Sequence, residues 1–351
     1  MTTFPAAMAA KRVDWPSDQW GTLRCLHVWD EARDIKTFLL APDEGSRITF
    51  DPGQFMTFRT ALDGRPVERC YTLSSSSASE RTVAITVKAK PGGAMSGHLH
   101  KALAPGERIS AFGPAGGFSP VEHQAEKYAL ISAGSGITPM LSMVRTAADL
   151  GLPLDADFVH VARTPRDYVA AAELRALKRR LPGLRLHFIA TRPSVRNVGG
   201  RLTADALIEL VPDLASRMVM CCGPDGFMES VRNAAFDHGV PPDFYAEESF
   251  DFGQEDDAIT DSGAPVWRIT FAKSGRSFDC PADTTILRAA KAAGFPIAAS
   301  CAKGMCGTCK CVKISGDLAM THQGGIRQRE IDRGFVLPCS SRPRGDVVLD
   351  R

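Results

Sequence analysis

No stretch of the 351 residues reaches the ~20 consecutive apolar positions that a helix needs to cross a bilayer. No secretory leader is expected either, because the small, weakly apolar Met1 to Ala10 comes before Lys11 and Arg12, the reverse of a leader's order. A soluble cytoplasmic chain with a loose tail before Trp15 is expected. Charge of one sign is also scarce. Against 42 Lys and Arg stand 40 Asp and Glu, a formal +2, which gives no broad electrostatic footprint for nucleic acid, and no recognisable DNA-binding module accompanies it. Nothing in the composition speaks for disorder or a fibre. The length is too great for one core and implies two or three domains.

What the chain does have is cysteine, ten in all. Cys301, Cys306 and Cys309 share one tight loop, Cys301-Ala302-Lys303-Gly304-Met305-Cys306-Gly307-Thr308-Cys309, and Cys339 follows at a distance. The spacing C-x4-C-x2-C with a remote fourth Cys is the ligand pattern of a plant-type [2Fe-2S] cluster. Gly304 and Gly307 let the loop turn sharply and aim backbone N–H groups at the sulfurs. A structural zinc site and a set of free thiols are the alternatives, but zinc ribbons prefer two C-x2-4-C knuckles. The other six, Cys25, Cys70, Cys221, Cys222, Cys280 and Cys311, are scattered without pairing logic, which suits a reducing compartment.

From Trp20 to about 122 the chain reads as short alternating strands broken by Gly and Pro, for example Leu23 to Trp29, Ile35 to Ala41, Phe55 to Thr60 and Thr82 to Ala89. That spacing predicts a small antiparallel β-barrel. Arg69, Tyr71 and Leu73 alternate onto one strand face, where a cation and a flat ring suit a phosphate and an aromatic cofactor. Val87-Lys88-Ala89-Lys90 then runs through Gly92-Gly93-Ala94-Met95-Ser96 into a helix expected over Ser96 to Leu103, whose N-terminus can take a pyrophosphate. His98 and His100 read as helix-surface residues.

These two motifs, with Gly113-Pro114-Ala115-Gly116-Gly117-Phe118 closing the barrel, resemble the flavin domain of the ferredoxin reductase family. The resemblance implies that Arg69 holds the flavin phosphates, Tyr71 packs on the isoalloxazine and Thr72 hydrogen-bonds its N5. It further implies that Gly93, Met95 and Ser96 cradle the pyrophosphate, with Leu73, Val87 and Lys88 beside the cofactor. The Gly-Gly-x-x-Ser loop favours FAD, while FMN stays open.

After Ala125 apolar runs (Tyr128 to Ile131, Phe158 to Ala162, Leu184 to Ile189, Met218 to Cys222) alternate with helical patterns (Leu141 to Leu150, Ala171 to Leu181, Thr203 to Leu210, Phe227 to His238). This predicts βαβ units and a parallel sheet to about 250, an α/β nicotinamide domain with its ligand at the strand carboxyl ends. Gly134-Ser135-Gly136-Ile137-Thr138-Pro139 is the first such turn. The last strand enters Cys222-Gly223-Pro224-Asp225-Gly226-Phe227-Met228, similar to the family's Cys-Gly-Pro motif. The resemblance places the Cys222 thiol near the hydride-carrying carbon and Gly223, Pro224, Asp225 and Met228 around the nucleotide, whereas Cys221 points to the opposite face as a packed thiol. Phe250, in Tyr245-Ala246-Glu247-Glu248-Ser249-Phe250, is the candidate ring shielding the flavin, with a core Phe as the alternative. Arg163 is a further coenzyme candidate. Thr191-Arg192, Arg196 and Arg201 offer guanidinium groups to a 2′-phosphate; the reading leans to NADH and leaves NADPH open.

Residues 251–265 are acidic and poor in apolar side chains, as in a solvated linker. From Val266 two strands (Trp267 to Phe271, Arg276 to Cys280) and a helix (Thr285 to Ala293) lead into the cysteine loop. That order resembles the β-grasp α+β fold of plant-type ferredoxins, with Cys311 as a packed strand residue. Barrel, nicotinamide domain and ferredoxin in this sequence resemble the reductase components of Rieske-type oxygenases, in the phthalate dioxygenase reductase order, and more narrowly those serving glycine betaine or carnitine monooxygenase. The resemblance implies hydride from NAD(P)H to flavin, single electrons through the cluster, and a terminal oxygenase as partner. A hybrid-cluster protein or another metalloenzyme is the alternative acceptor, and a non-catalytic iron-sulfur redox sensor is the rival reading.

Overall fold

The computed structural model describes residues 14–17, 19–43, 46–192, 200–250, 263–295, 297, 304, 307, 309–322, 325–326 and 328–351. The expected tail, most of the linker, Arg196, Cys301 and Cys306 lie outside the described residues. The chain divides into two compact units, 1–247 and 248–351.

Six antiparallel strands open the first unit: β1 (Gly21–Ala32), β2 (Ile35–Pro42), β3 (Phe55–Leu62), β4 (Arg65–Thr72), β5 (Val83–Lys88) and β6 (Arg108–Ala115), with α1 (Ala94–Ala102) between the last two. Their order is β4-β3-β6-β1-β2-β5. The sheet closes on itself where Leu73 bridges Ile85, and this seam relies on side chains. Ser74 N–H donates to Ala84 O at 2.7 Å, Ala84 N–H donates to Ser75 Oγ at 3.0 Å, and Ser74 Oγ meets Thr86 Oγ1 at 2.9 Å. Leu23, Phe38, Leu40, Met56, Phe58 and Ile85 fill the barrel. Trp15, ahead of the expected boundary at Trp20, already belongs to this core, its indole N–H donating to Gly113 O at 2.8 Å.

The same unit continues as a parallel sheet, β7 (Lys127–Ala133), β8 (Asp155–Ala162), β9 (Leu184–Ala190), β10 (Met218–Cys222) and β11 (Tyr245–Glu248), in the order β11-β10-β7-β8-β9. The connecting helices are α2 (Thr138–Leu150), α3 (Ala171–Arg180), α4 (Ala204–Leu210) and α5 (Asp225–Asp237). Near-continuous apolar strands such as β7 and β10 are what burial on both faces requires. Helix α2 docks on the residues just past β4. Ser142 Oγ donates to Ser75 O at 2.8 Å, Ser77 N–H donates to Thr146 Oγ1 at 2.9 Å, and Arg145 donates to Ser74 O.

Charge is buried at the amino ends of these strands. Arg185 and Arg217 clasp Asp155 and Asp157, and His187 Nε2 lies 2.9 Å from Asp157. Burial alone would raise the Asp157 pKa, but hydrogen bonds from His187 and Arg185 and the charges of Arg185 and Arg217 outweigh it and bring it to about 2. His160, on the adjacent stretch of β8, is fully buried between Tyr168 and Phe188, and burial lowers its pKa to about 4. Ser132 Oγ donates to Val159 O at 3.3 Å, so its oxygen is left to accept from His160 Nδ1 at 3.0 Å, and Nε2 has no partner among the described residues.

A pH prediction follows from this neutral histidine. An unfolded chain takes up a proton as pH falls below 6.5, whereas native His160 resists until about 4. Stability is therefore lost across that window, by roughly 3 kcal/mol in all, and Asp157 adds a further loss only from its unfolded value near 3.8 down to about 2. His160→Leu should flatten the slope between pH 6.5 and 4 in unfolding curves, since Ser132 keeps its bond to Val159 O; an unchanged slope would assign it to other groups.

The second unit is a mixed sheet of β12 (Val266–Phe271), β13 (Arg276–Pro281), β14 (Cys311–Ser315), β16 (Phe335–Val336) and β18 (Val347–Leu349), in the order β13-β12-β18-β14-β16. A small pair, β15 (Leu318–Met320) with β17 (Ser341–Pro343), and helices α6 (Ile286–Ala292) and α7 (Gln328–Ile331) complete it. An antiparallel β12–β13 hairpin whose first strand runs parallel to the last, β18, is the β-grasp arrangement. Cys280 and Cys311 sit in its core with their pKa pushed up by burial to about 12 and about 11, so both stay thiols. No helix among the described residues is long and apolar enough to cross a membrane.

Candidate functional site

The end of β4 and the start of α1 form the first half of the site. Phe58 pairs with Arg69 across the β3–β4 ladder, and the Tyr71 ring lies 5.9 Å from that of Phe58, half-buried against the barrel core. Burial raises the Tyr71 pKa, so the phenol keeps its proton. Arg69 is exposed and bonds only its neighbour's Glu68 carbonyl among the described residues, leaving the rest of its guanidinium fork to an anion. Thr72 is 4% exposed, and its hydroxyl has no partner among the described residues. A buried hydroxyl without a bond costs free energy, which a polar cofactor atom would recover.

Helix α1 begins two residues earlier than expected, with Gly93 as its N-cap, no side-chain cap and no acid in its first turn. Its leading N–H groups are available to phosphate oxygens. A side chain on Gly93 would meet Ser96 Oγ at 2.6 Å and Lys90 at 3.0 Å, which explains the glycine. Four candidates contribute otherwise than the motif suggested. The side chains of Leu73, Val87 and Met95 are buried in the barrel core, leaving only their backbone for a cofactor, and Ser96 Oγ already accepts from Lys90 N–H at 3.1 Å. His98 and His100, both half-buried on α1, also contact the barrel: His98 Nε2 lies 3.4 Å from Thr60 Oγ1, and His100 Nε2 lies 2.8 Å from Val87 O.

The second half is a cleft of about 590 Å³ at the carboxyl ends of the parallel strands, lined by residues that include Gly134, Arg163, Asp167, Thr191, Arg201, Pro224 and Phe227. Gly134 takes φ +56°, and the turn Gly134–Ile137 leads directly into α2 with Pro139 in its first turn. Gly136 lies against the carbonyl of Cys222, so the turns after β7 and β10 are pressed together. Ser135, Gly136 and Thr138 shape this turn, Thr138 Oγ1 donating to Ser135 O at 3.2 Å. Cys222 is fully buried at the end of β10, beside the turn. Cys221 packs with Val219 and Val231 in the core of the other face, as expected, and burial raises its pKa.

Not every expected nucleotide residue lines the cleft. Met228 belongs to the same core as Cys221, because α5 turns that position inward. Arg192 is exposed and outside the lining, while Arg163 and Arg201 are within it. Asp225, Gly223 and Pro139 shape the surrounding turns, and of the Cys-Gly-Pro stretch Pro224 reaches the cavity. Reading the sequence missed Asp34 and Ile35, which enter the cleft from the barrel together with Lys88.

In the second unit, Cys309 and Cys339 are 2% and 4% exposed and share an apolar cluster with Ile326 and Leu337. Gly304 and Gly307 both take φ +73°. A side chain would meet Ser340 Oγ at 2.8 Å from Gly304 and Gly325 O at 2.6 Å from Gly307. This crowded, left-handed backbone beside two buried thiols fits an iron-sulfur cluster. The described residues hold two of the four candidate ligands, the other two being Cys301 and Cys306. Phe250 is half-buried just past β11, in the second unit.

A flavin and a cluster held at these sites would supply hydride acceptance and one-electron transfer, while the chain supplies the donors and the enclosure. Arg69→Ala removes the guanidinium fork and is expected to weaken flavin binding about tenfold. The flavin retained through gel filtration checks this, and full retention would release Arg69 from the assignment.

Three domain families match in order: an oxidoreductase FAD-binding domain over 27–119, an oxidoreductase NAD-binding domain over 130–233 and a 2Fe-2S iron-sulfur cluster binding domain over 269–344. A glycine betaine monooxygenase reductase subunit of Chromohalobacter salexigens is 35% identical over 347 residues, covering 93% of this chain and 94% of that protein. The reductase subunit of a stachydrine N-demethylase of Rhizobium meliloti is 37% identical over 342 residues, covering 93% and 96%. The solved phthalate dioxygenase reductase, a modular structure for electron transfer from pyridine nucleotides to [2Fe-2S], superposes with a TM-score of 0.59 at 26% identity, covering 95% of this chain and 98% of that one. With the three domain models in this order and these relatives matched over nearly their whole length, the chain belongs to the family of oxygenase-system reductase components that carry electrons from NAD(P)H through FAD to a [2Fe-2S] cluster.

Proposed function

We propose that this chain supplies electrons to a Rieske-type terminal oxygenase that removes a methyl group from a quaternary ammonium compound, with NADH as the favoured donor. The full-length similarity to reductase subunits of glycine betaine and stachydrine systems carries this reading. In it, Thr72 directs its hydroxyl to flavin N5, Arg69 and the α1 N-terminus take the phosphates, and Tyr71 lies against the ring system. Cys222 borders the nicotinamide and Phe250 covers the flavin when no nucleotide is bound. Cys301, Cys306, Cys309 and Cys339 hold the irons, and the cytoplasm is the compartment.

The test is direct. The purified chain should show flavin and [2Fe-2S] bands that bleach with NADH, and should support demethylation when mixed with a quaternary-ammonium oxygenase and oxygen. Bleaching without demethylation, across oxygenases for glycine betaine, carnitine and stachydrine, would keep the reductase and remove this acceptor class.

A further inference from the structure

The tip of the β1–β2 hairpin belongs to the barrel yet reaches into the nucleotide cleft. Ala32 pairs with Ile35, so Arg33 and Asp34 form a tight turn, and Ala89 N–H pins that turn by donating to Asp34 O at 2.7 Å. Asp34 lines the cleft. Its Oδ2 lies 3.3 Å from Arg163 NH2 and 3.6 Å from Lys88 Nζ. Arg163 is the first residue after β8, and Arg201, shortly ahead of α4, lines the same cleft as Thr191, the first residue after β9. Arg163, at the end of β8, and Arg201, ahead of α4, therefore bring guanidinium groups to one cleft at the carboxyl ends of the strands, where in this reading a phosphate-bearing adenosine half is received. The hairpin answers with a carboxylate. Glu31, from the same hairpin, adds a second contact, its Oε2 accepting from Ala170 N–H at 3.3 Å on the loop that follows Arg163.

We propose that Asp34 is a coenzyme-selecting residue: by pairing with Arg163 across the cleft mouth it withholds that guanidinium from a 2′-phosphate and adds a repelling charge, so that the cleft favours the nucleotide without the extra phosphate. This rests on the reading of the cleft as the pyridine-nucleotide site. Selection here comes from a charge contributed by the flavin module. Discrimination against the doubly charged group is built as repulsion as well as attraction to the preferred ligand. Because Asp34 and Arg163 are partly exposed, the effect is moderate and sensitive to salt.

The experiment measures equilibrium binding of NAD+ and NADP+ to the flavin- and cluster-loaded protein by calorimetry, in the wild type, Asp34→Asn, Asp34→Glu and Asp34→Asn with Arg163→Ala. Asp34→Asn should shift the affinity ratio toward NADP+ by roughly three- to tenfold at low salt, Asp34→Glu should keep the wild-type ratio, and the double variant should retain only the smaller part of the gain that comes from removing the repelling charge. A purely structural hairpin would change both affinities together and leave the ratio fixed, which would overturn the proposal. A gain undiminished by loss of Arg163 would overturn the pairing as its cause. Failure of the wild type to bind either nucleotide would bring down the cleft assignment itself, and this proposal with it.

Discussion

Cys339→Ser is expected to abolish the [2Fe-2S] absorption and to cut electron transfer to a protein acceptor by at least ~100-fold, while NADH still bleaches the flavin at close to the original rate. The cause is local. Cys339 is buried in a small apolar cluster with Cys309, Ile326 and Leu337, so a serine hydroxyl there offers iron a poorer ligand. The candidate flavin and nucleotide residues all lie in the other compact unit, up to residue 247, apart from Phe250. Stopped-flow spectra separate the two events, since flavin and cluster bleach at different wavelengths. If flavin reduction collapses with the cluster, hydride entry depends on the second unit and the division of labour argued above is wrong.

Gly136→Ala is expected to be the most damaging single methyl that can be added to the nucleotide site. The new carbon would lie 2.2 Å from the Cys222 carbonyl oxygen and 2.8 Å from Gly223 N, both backbone atoms that no rotamer change can move. The turns after β7 and β10 must then separate, at a cost of about 1–3 kcal/mol or more. Gly134, Pro224 and the buried Cys222 would shift with them, and NADH-driven flavin reduction should fall by at least ~100-fold, as misplacement near 1 Å can do. Single-turnover reduction of the flavin checks this, alongside dithionite reduction, which needs no nucleotide site and should be unaffected. Gly134→Ala makes the comparison informative: nothing lies within 4 Å of the added carbon, and only the strain of φ +56° opposes it.

The chemistry of this chain was legible where it is written in adjacent residues. Cysteine spacing, the Arg69 to Leu73 strand and the glycine turns at Gly134 and Gly223 each need a particular backbone path, and few residue types permit one. Strand and helix order was equally plain, because β7 through α5 alternate between apolar runs and helical periods. The illegible parts depend on contacts between distant positions. Asp34 meets Arg163 across 129 residues, and nothing around either one announces the other. Arg192 attracted attention by following a strand, yet Arg163 and Arg201 line the cleft. Met228 matched a motif, but one helical turn of α5 commits it to the core. Ser74 and Ser75, just past the Arg69 to Leu73 strand, carried no signal in the sequence and close the barrel.

Those two serines tie together more than a sheet. Ser74 and Ser75 follow Thr72 with only Leu73 between, and the middle of α2 grips their carbonyls through Arg145 and Ser142. The first turn of that same helix is Thr138 and Pro139, immediately past the Gly134–Ile137 bend. From Thr138 to Ser142 the rise is about 6 Å, one helical turn. The proposed donor and acceptor cradles are thus mounted on a single short spar, and their spacing is cast when the chain folds. Swapping in a foreign nucleotide module would preserve every binding motif and still misalign the reaction unless the mortise between α2 and the serine segment travelled with it.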